Sequence, residues 1–163
     1  MTFTATPLLT SPVMAIEDGW VDYNGHLNQA YYGVLFDRAI DQALLPAGLG
    51  PDYIATRNLS FMTVESHTCF VREVFSTDPV RVVSRILDAD DKRLHMYSEL
   101  QHATDGWLSA TSEWMFLHTD MATRRTAPWP ADIRANLDAL KAAAALLPAP
   151  ERAGRRIGIV RRG

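Results

Sequence analysis

The stretch WVDYNGHLNQAYYGVLFDRA, residues 20–39, joins an acidic residue, a glycine and a strongly patterned helix. From Tyr32 to Leu44 the apolar residues recur at intervals of three and four, which is typical of one buried helical face. They are Tyr32, Leu35, Phe36, Ala39, Ile40, Ala43 and Leu44. Asn28 is a suitable N-cap, and the PAGLGP run at 46–51 ends the helix because proline lacks an N–H donor. We therefore expect one continuous helix between these two signals.

After this helix the pattern changes to strand-like runs, FMTVESHTCFVREV, PVRVVSRIL, RLHMYSELQHA and WLSATSEWMFLHTD. The alternation predicts Met62, Val64, Thr68 and Phe70 on one face of the first run, opposite Glu65 and His67. In the third run it predicts a face of Leu94, Met96, Ser98 and Leu100. Short turns such as DADDK and TDG favour antiparallel neighbours. With a first strand expected over 12–21, the order is strand, long helix and four strands.

The C-terminal part of the chain has two predicted features. A helix is expected over 131–147, with a stripe formed by Ile133, Leu137, Leu140 and Ala144. The following LPAPERAGRRIGIVRRG is expected to be an extended or flexible tail, with IGIV docking as a short strand. A single antiparallel sheet covering one long helix is an α+β arrangement, and its free edge favours a homodimer or homotetramer.

Length and composition place the chain among ordinary globular proteins. Its 163 residues predict a single domain over 1–163, with a core over about 12–120 and a C-terminal helix and tail over 131–163. The net charge of −3 gives no general attraction to nucleic acid or anionic membranes. The single cysteine, Cys69, excludes an intrachain disulfide and fits a reducing compartment. Since neither a signal peptide nor a membrane span is evident, we expect a cytoplasmic protein.

The element order, headed by DYNGHLNQAYYGVLFDRA, resembles the hotdog fold, in which a curled antiparallel sheet wraps a long central helix. The motif resembles that of the 4-hydroxybenzoyl-CoA thioesterase superfamily, whose members carry Asp-x-x-Gly, often followed by His-x-Asn and a helical tyrosine. Those positions here are Asp22, Gly25, His26, Asn28 and Tyr32. The segments TVESHTCFVREV, DDKRLHMYSELQHA and SEWMFLHTD further resemble the betainyl-CoA thioesterase branch. The resemblance covers about 12–120 and implies hydrolysis of an acyl-CoA, with coenzyme A as part of the substrate and no other cofactor.

Thioester hydrolysis needs a group that attacks the carbonyl carbon or activates water, and donors for the oxygen that becomes negative. The resemblance gives Asp22 the first role, as nucleophile or as general base. Backbone amides at the helix start suit the second role. Gly25 allows close approach of the backbone, and His26 and Asn28 orient the carbonyl or shape the turn. Tyr32 is expected to contact the substrate.

Each of these residues also has a purely structural interpretation. Asp-Tyr-Asn-Gly is an ordinary turn sequence, in which Asp22 accepts backbone hydrogen bonds. Glu65 is either a second acid/base group or a solvent-facing partner of a basic neighbour, and His67 either contacts substrate or is structural. Arg93 is a candidate for binding the coenzyme A phosphates, although exposed arginines are commonly only solvated. His95, His102 and His118 have no cysteine or histidine partner at the spacing of metal ligands, so we expect no metal site.

Two other functions are compatible with the fold. One is a hotdog hydratase or dehydratase, but the predicted helix contains no glutamate and the Asp-x-Asn-Pro-x-His run of such enzymes is absent. The other is a non-catalytic acyl-CoA-binding module. The favoured function is hydrolysis of a short, polar or aromatic acyl-CoA.

Overall fold

A computed structural model describes residues 3–159 and 161. Its strands are β1 (Leu9–Thr10), β2 (Leu59–Phe70), β3 (Val80–Ala89), β4 (Arg93–His102), β5 (Leu108–Asp120) and β6 (Arg125–Thr126). Its helices are α1 (Gln29–Leu44), α2 (Pro51–Arg57) and α3 (Ala131–Ala144). The predicted long helix and the four strands that follow it are all present.

Helix α1 begins and ends where its sequence signals lie. The side chain of Asn28 accepts a hydrogen bond from the N–H of Ala30 at 3.0 Å, which confirms the predicted N-cap. A short 3-10 turn over Leu45–Ala47 follows the helix, and Gly48 then takes a left-handed φ of 87°. Every residue of the predicted apolar stripe is buried. Amphipathic patterning therefore located this helix and the face it buries.

The sheet is antiparallel, with the strand order β1-β3-β4-β5-β2 and with β6 pairing the end of β5. Alternate side chains of β3, β4 and β5, among them Val82, Met96 and Phe116, share one core with Phe36 of α1. The ring of Phe36 meets that of Trp114 edge-on, with centroids 6.1 Å apart. This face of the sheet, called here the inner face, covers the helix, and the α+β hotdog prediction is confirmed.

The predicted first strand over 12–21 is wrong. Strand formation is limited to Leu9–Thr10, which pairs with β3, and Met14 adds an isolated bridge to Val80. The chain then forms a 3-10 turn over Asp18–Trp20. Pro12 has no N–H to donate, and Gly19 disfavours an extended ladder, so pairing is interrupted soon after it starts.

Strand β2 departs from the simple alternation that its sequence suggests. Its register with β5 shifts between Thr63 and Glu65, a β-bulge that moves Met62 to the opposite face from Thr68 and Phe70. The predicted common face of these apolar residues is therefore wrong. Val64 lies within the register shift and is 53% exposed.

Helix α2 was not predicted, and the buried His118 anchors it to the sheet. The Nδ1–H of His118 donates to the carbonyl of Ala127 at 2.8 Å, so Nε2 accepts the hydroxyl of Tyr53 at 2.7 Å. The imidazole also lies against Trp129, with ring centroids 4.3 Å apart. Burial lowers the pKa of His118 and raises that of Tyr53 to about 12.

The C-terminal helix is shorter than expected, ending at Ala144 instead of residue 147, although its predicted stripe is buried. Beyond it the tail crosses the other, outer face of the sheet. The Arg85 guanidinium donates to the carbonyl of Pro148 at 2.7 Å, and the Gly154 N–H donates to Glu113 at 2.7 Å. No strand forms over 157–159, where Ile157 is 92% exposed, and Val160 lies outside the described residues.

We expect His118→Phe to lower the free energy of unfolding at pH 8 by about 1–3 kcal/mol, because the buried Tyr53 hydroxyl and the part-buried Ala127 carbonyl lose their partner. The difference should shrink as the pH falls from 7 to 5. In that interval the side chain of residue 118 takes up a proton more readily in the unfolded wild-type chain than in the folded one. The free energy of unfolding of the wild type therefore declines. Urea unfolding at a series of pH values measures both effects. Equal pH slopes for variant and wild type would show that His118 does not contribute to this dependence.

Candidate active site

The predicted catalytic aspartate lies in a tight hairpin directly before α1. The N–H of Gly25 donates to the carbonyl of Asp22 at 2.9 Å, and the Asp22 N–H donates to the carbonyl of His26 at 3.0 Å. Val21 and Leu27 form an isolated antiparallel bridge that closes the hairpin. The turn interpretation of this motif is therefore correct as a description of its backbone.

The Asp22 side chain combines a turn-forming contact with a free oxygen. Its Oδ1 accepts the N–H of Asn24 at 2.8 Å and lies 3.8 Å from the Nδ1 of His26. The side chain is only 15% exposed. Among the residues that the structure describes, none donates a hydrogen bond to Oδ2. One carboxylate oxygen fixes the turn while the other remains available.

The backbone conformation at position 25 favours glycine. Its φ of 84° lies in the left-handed region, which side chains with a Cβ disfavour. A Cβ built at this position meets no atom of the described chain within 4 Å. The glycine therefore serves the turn, and the space in front of it is open to a ligand.

A second chain segment runs beside the hairpin and the start of α1. The N–H of Leu27 donates to the carbonyl of Val74 at 2.8 Å, and His26 bridges to Phe75. The first helical amide, that of Gln29, has no acceptor among the described residues, and no acidic residue lies in the first turn of the helix. The positive end of the helix is thus left without a charged side chain of its own.

Between these two segments lies a groove of about 490 Å³. Its lining residues are His26, Leu27, Gln29, Tyr32, Phe70, Val71, Arg72 and Glu73. Tyr32 is buried and meets the Phe70 ring edge-on, with centroids 5.0 Å apart. Burial raises the pKa of Tyr32, so its hydroxyl is neutral and able to donate a hydrogen bond. The groove has an apolar floor, with Arg72 and Glu73 among its walls.

Glu65 and His67 do not join this groove within one chain. They pair with Met115 and Glu113 on the outer face of the sheet, away from α1. There they line a polar depression that also holds His95, whose Nε2 lies 2.7 Å from Glu113. Any role for Glu65 or His67 beside Asp22 stays a prediction.

Arg93 lies at the opposite end of the sheet from the groove. It begins β4 and pairs with Leu117, whereas the groove borders the end of β2, where Phe70 pairs with Ala110. The Nε of Arg93 donates to Asp90 at 2.6 Å, and this ion pair lowers the pKa of Asp90 to about 2. In its own protomer the Arg93 guanidinium is held away from the substrate groove.

The wall formed by residues 70–73 was missed by sequence reasoning. The adjacent charged residues Arg72 and Glu73, near the end of the first strand-like run, were the available signal. The guanidinium of Arg72 lies over the Trp107 ring, 4.1 Å from its centroid. Across residues 3–159 and 161, no group of three or more acidic, histidine or cysteine side chains has the arrangement of a metal site. None of the helices described is long and apolar enough to cross a membrane.

The fold described above and the comparison with known proteins both indicate the same class of protein, the hotdog-fold thioester hydrolases. More narrowly, the chain belongs to the thioesterase-like superfamily, whose family model matches residues 16–137. Slr0204, a 1,4-dihydroxy-2-naphthoyl-CoA thioesterase from Synechocystis, shares the fold with a TM-score of 0.71 at 17% identity, covering 82% of this chain and 97% of that one.

Two relatives are similar over nearly their whole length. The betainyl-CoA thioesterase of Pseudomonas aeruginosa is 36% identical over 93% of this chain and 96% of that protein. The hypothetical protein SAV2348 from Staphylococcus aureus, solved in complex with CoA, has a TM-score of 0.87 and 25% identity over 98% of this chain and 100% of that one. The L-carnitine dehydrogenase/betainyl-CoA thioesterase of Rhizobium meliloti is 33% identical over 88% of this chain, which spans 29% of that longer protein. These matches favour hydrolysis over the hydratase and the binding module.

We expect Asn28→Ala to lower the free energy of unfolding by about 1 kcal/mol, because the Ala30 N–H loses its capping oxygen. Asn28→Ser should retain most of the stability, since serine also caps helices. Comparing turnover of the two variants separates the cap from any direct contact with substrate. Equal stability of the alanine variant and wild type, measured by urea unfolding, would contradict the capping role.

Proposed function

We propose that this protein hydrolyses a short, polar or aromatic acyl-CoA to the free acid and CoA. The observation that carries the proposal is the largely covered Asp22 carboxylate, 3.8 Å from the imidazole of His26, which lines the open groove at the start of α1. The acyl-CoA substrate is supported by the CoA complex of SAV2348 and by the name of the Pseudomonas aeruginosa relative. That name makes the betainyl group the first acyl group to test.

In the proposed reaction the thioester carbonyl lies in the groove, with its oxygen towards the free amide at the start of α1. Asp22 then acts by one of two routes. As nucleophile, its oxygen bonds to the carbonyl carbon, the C–S bond breaks, and water hydrolyses the resulting anhydride. As general base, it takes a proton from water, whose oxygen attacks the same carbon. In both routes the CoA thiolate leaves and receives a proton, and the free Gln29 amide and the helix dipole stabilise the oxyanion.

His26 and Tyr32 are proposed to position the acyl-CoA in this site. His26 lies on the groove wall within 3.8 Å of Asp22, and Tyr32 presents a neutral hydroxyl. Arg72 is better placed than Arg93 to meet the phosphates of coenzyme A, because Arg72 lines the groove and Arg93 is bound to Asp90. Charge-assisted contacts from an arginine suit a phosphate.

We further propose that the chain forms a homodimer through the edge strand β2. Residues 62–66 of this strand are all exposed, and Met62 and Val64 are apolar. An exposed edge of twelve residues offers unpaired backbone groups to a second strand. Two copies of β2 related by a two-fold axis would pair antiparallel and extend the sheet across both protomers.

We expect Asp22→Asn to lower kcat for betainyl-CoA by at least about 100-fold, because the amide neither attacks nor takes a proton. Its fold should be unchanged, since the amide oxygen still accepts the Asn24 N–H. Release of free thiol measures turnover, and thermal unfolding checks the fold. Asp18→Asn removes the same charge from an exposed neighbouring turn and is the control. Wild-type turnover in the Asp22 variant would overturn the mechanism.

We expect the double variant Met62→Lys/Val64→Lys to sediment as a monomer, while wild type sediments as a dimer or larger assembly. Lysines on both copies repel across the two-fold axis and remove apolar area from the contact. Val13→Lys, at an exposed apolar position outside β2, is the control and should leave the assembly intact. A wild-type protein that sediments as a monomer would contradict assembly through β2.

A further inference from the structure

A second cavity lies further along α1, and its lining combines aromatic rings with carboxylates. It has a volume of about 280 Å³ and lies between the middle of α1, the start of α2 and the first half of β2. We propose that this cavity, lined by Asp37, Asp41, Tyr53, Phe61 and Phe116, binds a quaternary ammonium group of the acyl chain. This inference rests on the proposed acyl-CoA hydrolysis and on the proposed dimer, and it names the residues that select the acyl group.

The aromatic part of the cavity is formed by Phe61 and Phe116, whose rings meet edge-on with centroids 5.4 Å apart. Phe116 and Tyr53 are buried, and Phe61 is half-buried at the cavity wall. Aromatic faces attract a cation through the ring quadrupole, and methylated ammonium groups are favoured because they are weakly hydrated. An apolar acyl chain would use the rings equally well, so the carboxylates decide between the two ligands.

Asp37 and Asp41 are one helical turn apart on the cavity rim and lack a cationic partner among the described residues. Two like charges at this spacing destabilise a helix. Burial, and then repulsion by Asp37, raises the pKa of Asp41. Both nearby guanidinium groups are already paired, Arg38 with Glu17 and Arg57 with Asp132. The cavity therefore presents negative charge that no described basic side chain neutralises.

The position of the cavity indicates that, in the proposed dimer, it contacts the acyl chain held by the partner subunit. Asp41 is twelve residues beyond Gln29, about 18 Å along the helix, so it is too far from a thioester in the groove of its own chain for a short acyl group. In the proposed dimer, antiparallel pairing brings the first half of one β2 beside the end of the other. The cavity borders that first half and the groove borders that end. Each cavity thus faces the groove of the partner subunit, where the acyl chain is held.

The names of the relatives are independent of this geometry and point to the same chemistry. A betainyl group carries a trimethylammonium one methylene away from the thioester carbonyl. The Pseudomonas aeruginosa relative is a betainyl-CoA thioesterase. The cavity supplies aromatic walls, which suit either kind of chain, and uncompensated carboxylates, which favour the cationic group over a neutral chain of the same shape.

The test compares betainyl-CoA with 3,3-dimethylbutyryl-CoA, its neutral isostere in which carbon replaces nitrogen. We expect wild type to prefer the cationic substrate in kcat/KM by at least about tenfold, the scale of a cation–aromatic contact assisted by charge. Asp41→Asn and Asp37→Asn should each reduce that preference, measured as the ratio of the kcat/KM values for the two substrates. Asp52→Asn, which removes the same charge from α2 outside the cavity lining, is the matched control.

The outcomes separate this inference from the proposed function. Hydrolysis of both substrates at equal efficiency would overturn the ammonium site and leave thioester hydrolysis intact. If neither thioester is hydrolysed, the proposed function fails, and calorimetric titration with free glycine betaine still tests the cavity. Binding that is lost in Asp41→Asn and retained in Asp52→Asn supports the site, and absence of binding to the wild type overturns it.

Discussion

The burial of one face of α1 beneath the curved sheet is the constraint on which the rest of the structure depends. Phe36 contacts Trp114 from the centre of the helix, and the rest of the apolar stripe is buried on the same side. This fixes both the depth and the rotation of the helix. Because the helix begins at an Asn28 cap attached to the Asp22 hairpin, the same packing also sets the position of the carboxylate.

The hairpin geometry bears on the two interpretations of Asp22, as a turn residue and as a catalytic carboxylate. Asp22 is a turn residue, since its Oδ1 accepts the Asn24 N–H. That contact restrains the side chain and leaves the second oxygen free of described donors. A carboxylate held in this way loses little conformational entropy when it acts on a substrate. Turn formation is therefore compatible with the catalytic role proposed for Asp22.

Local patterns in the sequence predicted the elements that depend on local chemistry. The stripe of α1 and the alternation of β4 follow from periodicity alone, and their buried faces match the prediction. The bulge in β2 depends on how this strand pairs with β5, which periodicity does not encode. The site divides in the same way. The candidate residues at 22–32 were predicted because they are contiguous, whereas the wall at 70–73 joins them through long-range contacts such as the pairing of His26 with Phe75.

The distribution of charge along α1 connects the two cavities. The first turn carries no acidic residue, so the positive end of the helix dipole remains free to stabilise an oxyanion. The acidic residues of the helix, Asp37 and Asp41, lie beyond its middle, where they do not weaken that end. In the proposed dimer the two helices run antiparallel, so the acidic region of one lies beside the amide end of the other. A substrate with a cationic acyl group and a carbonyl oxygen that becomes negative complements both charged regions. A neutral acyl chain complements only the amide end of the helix.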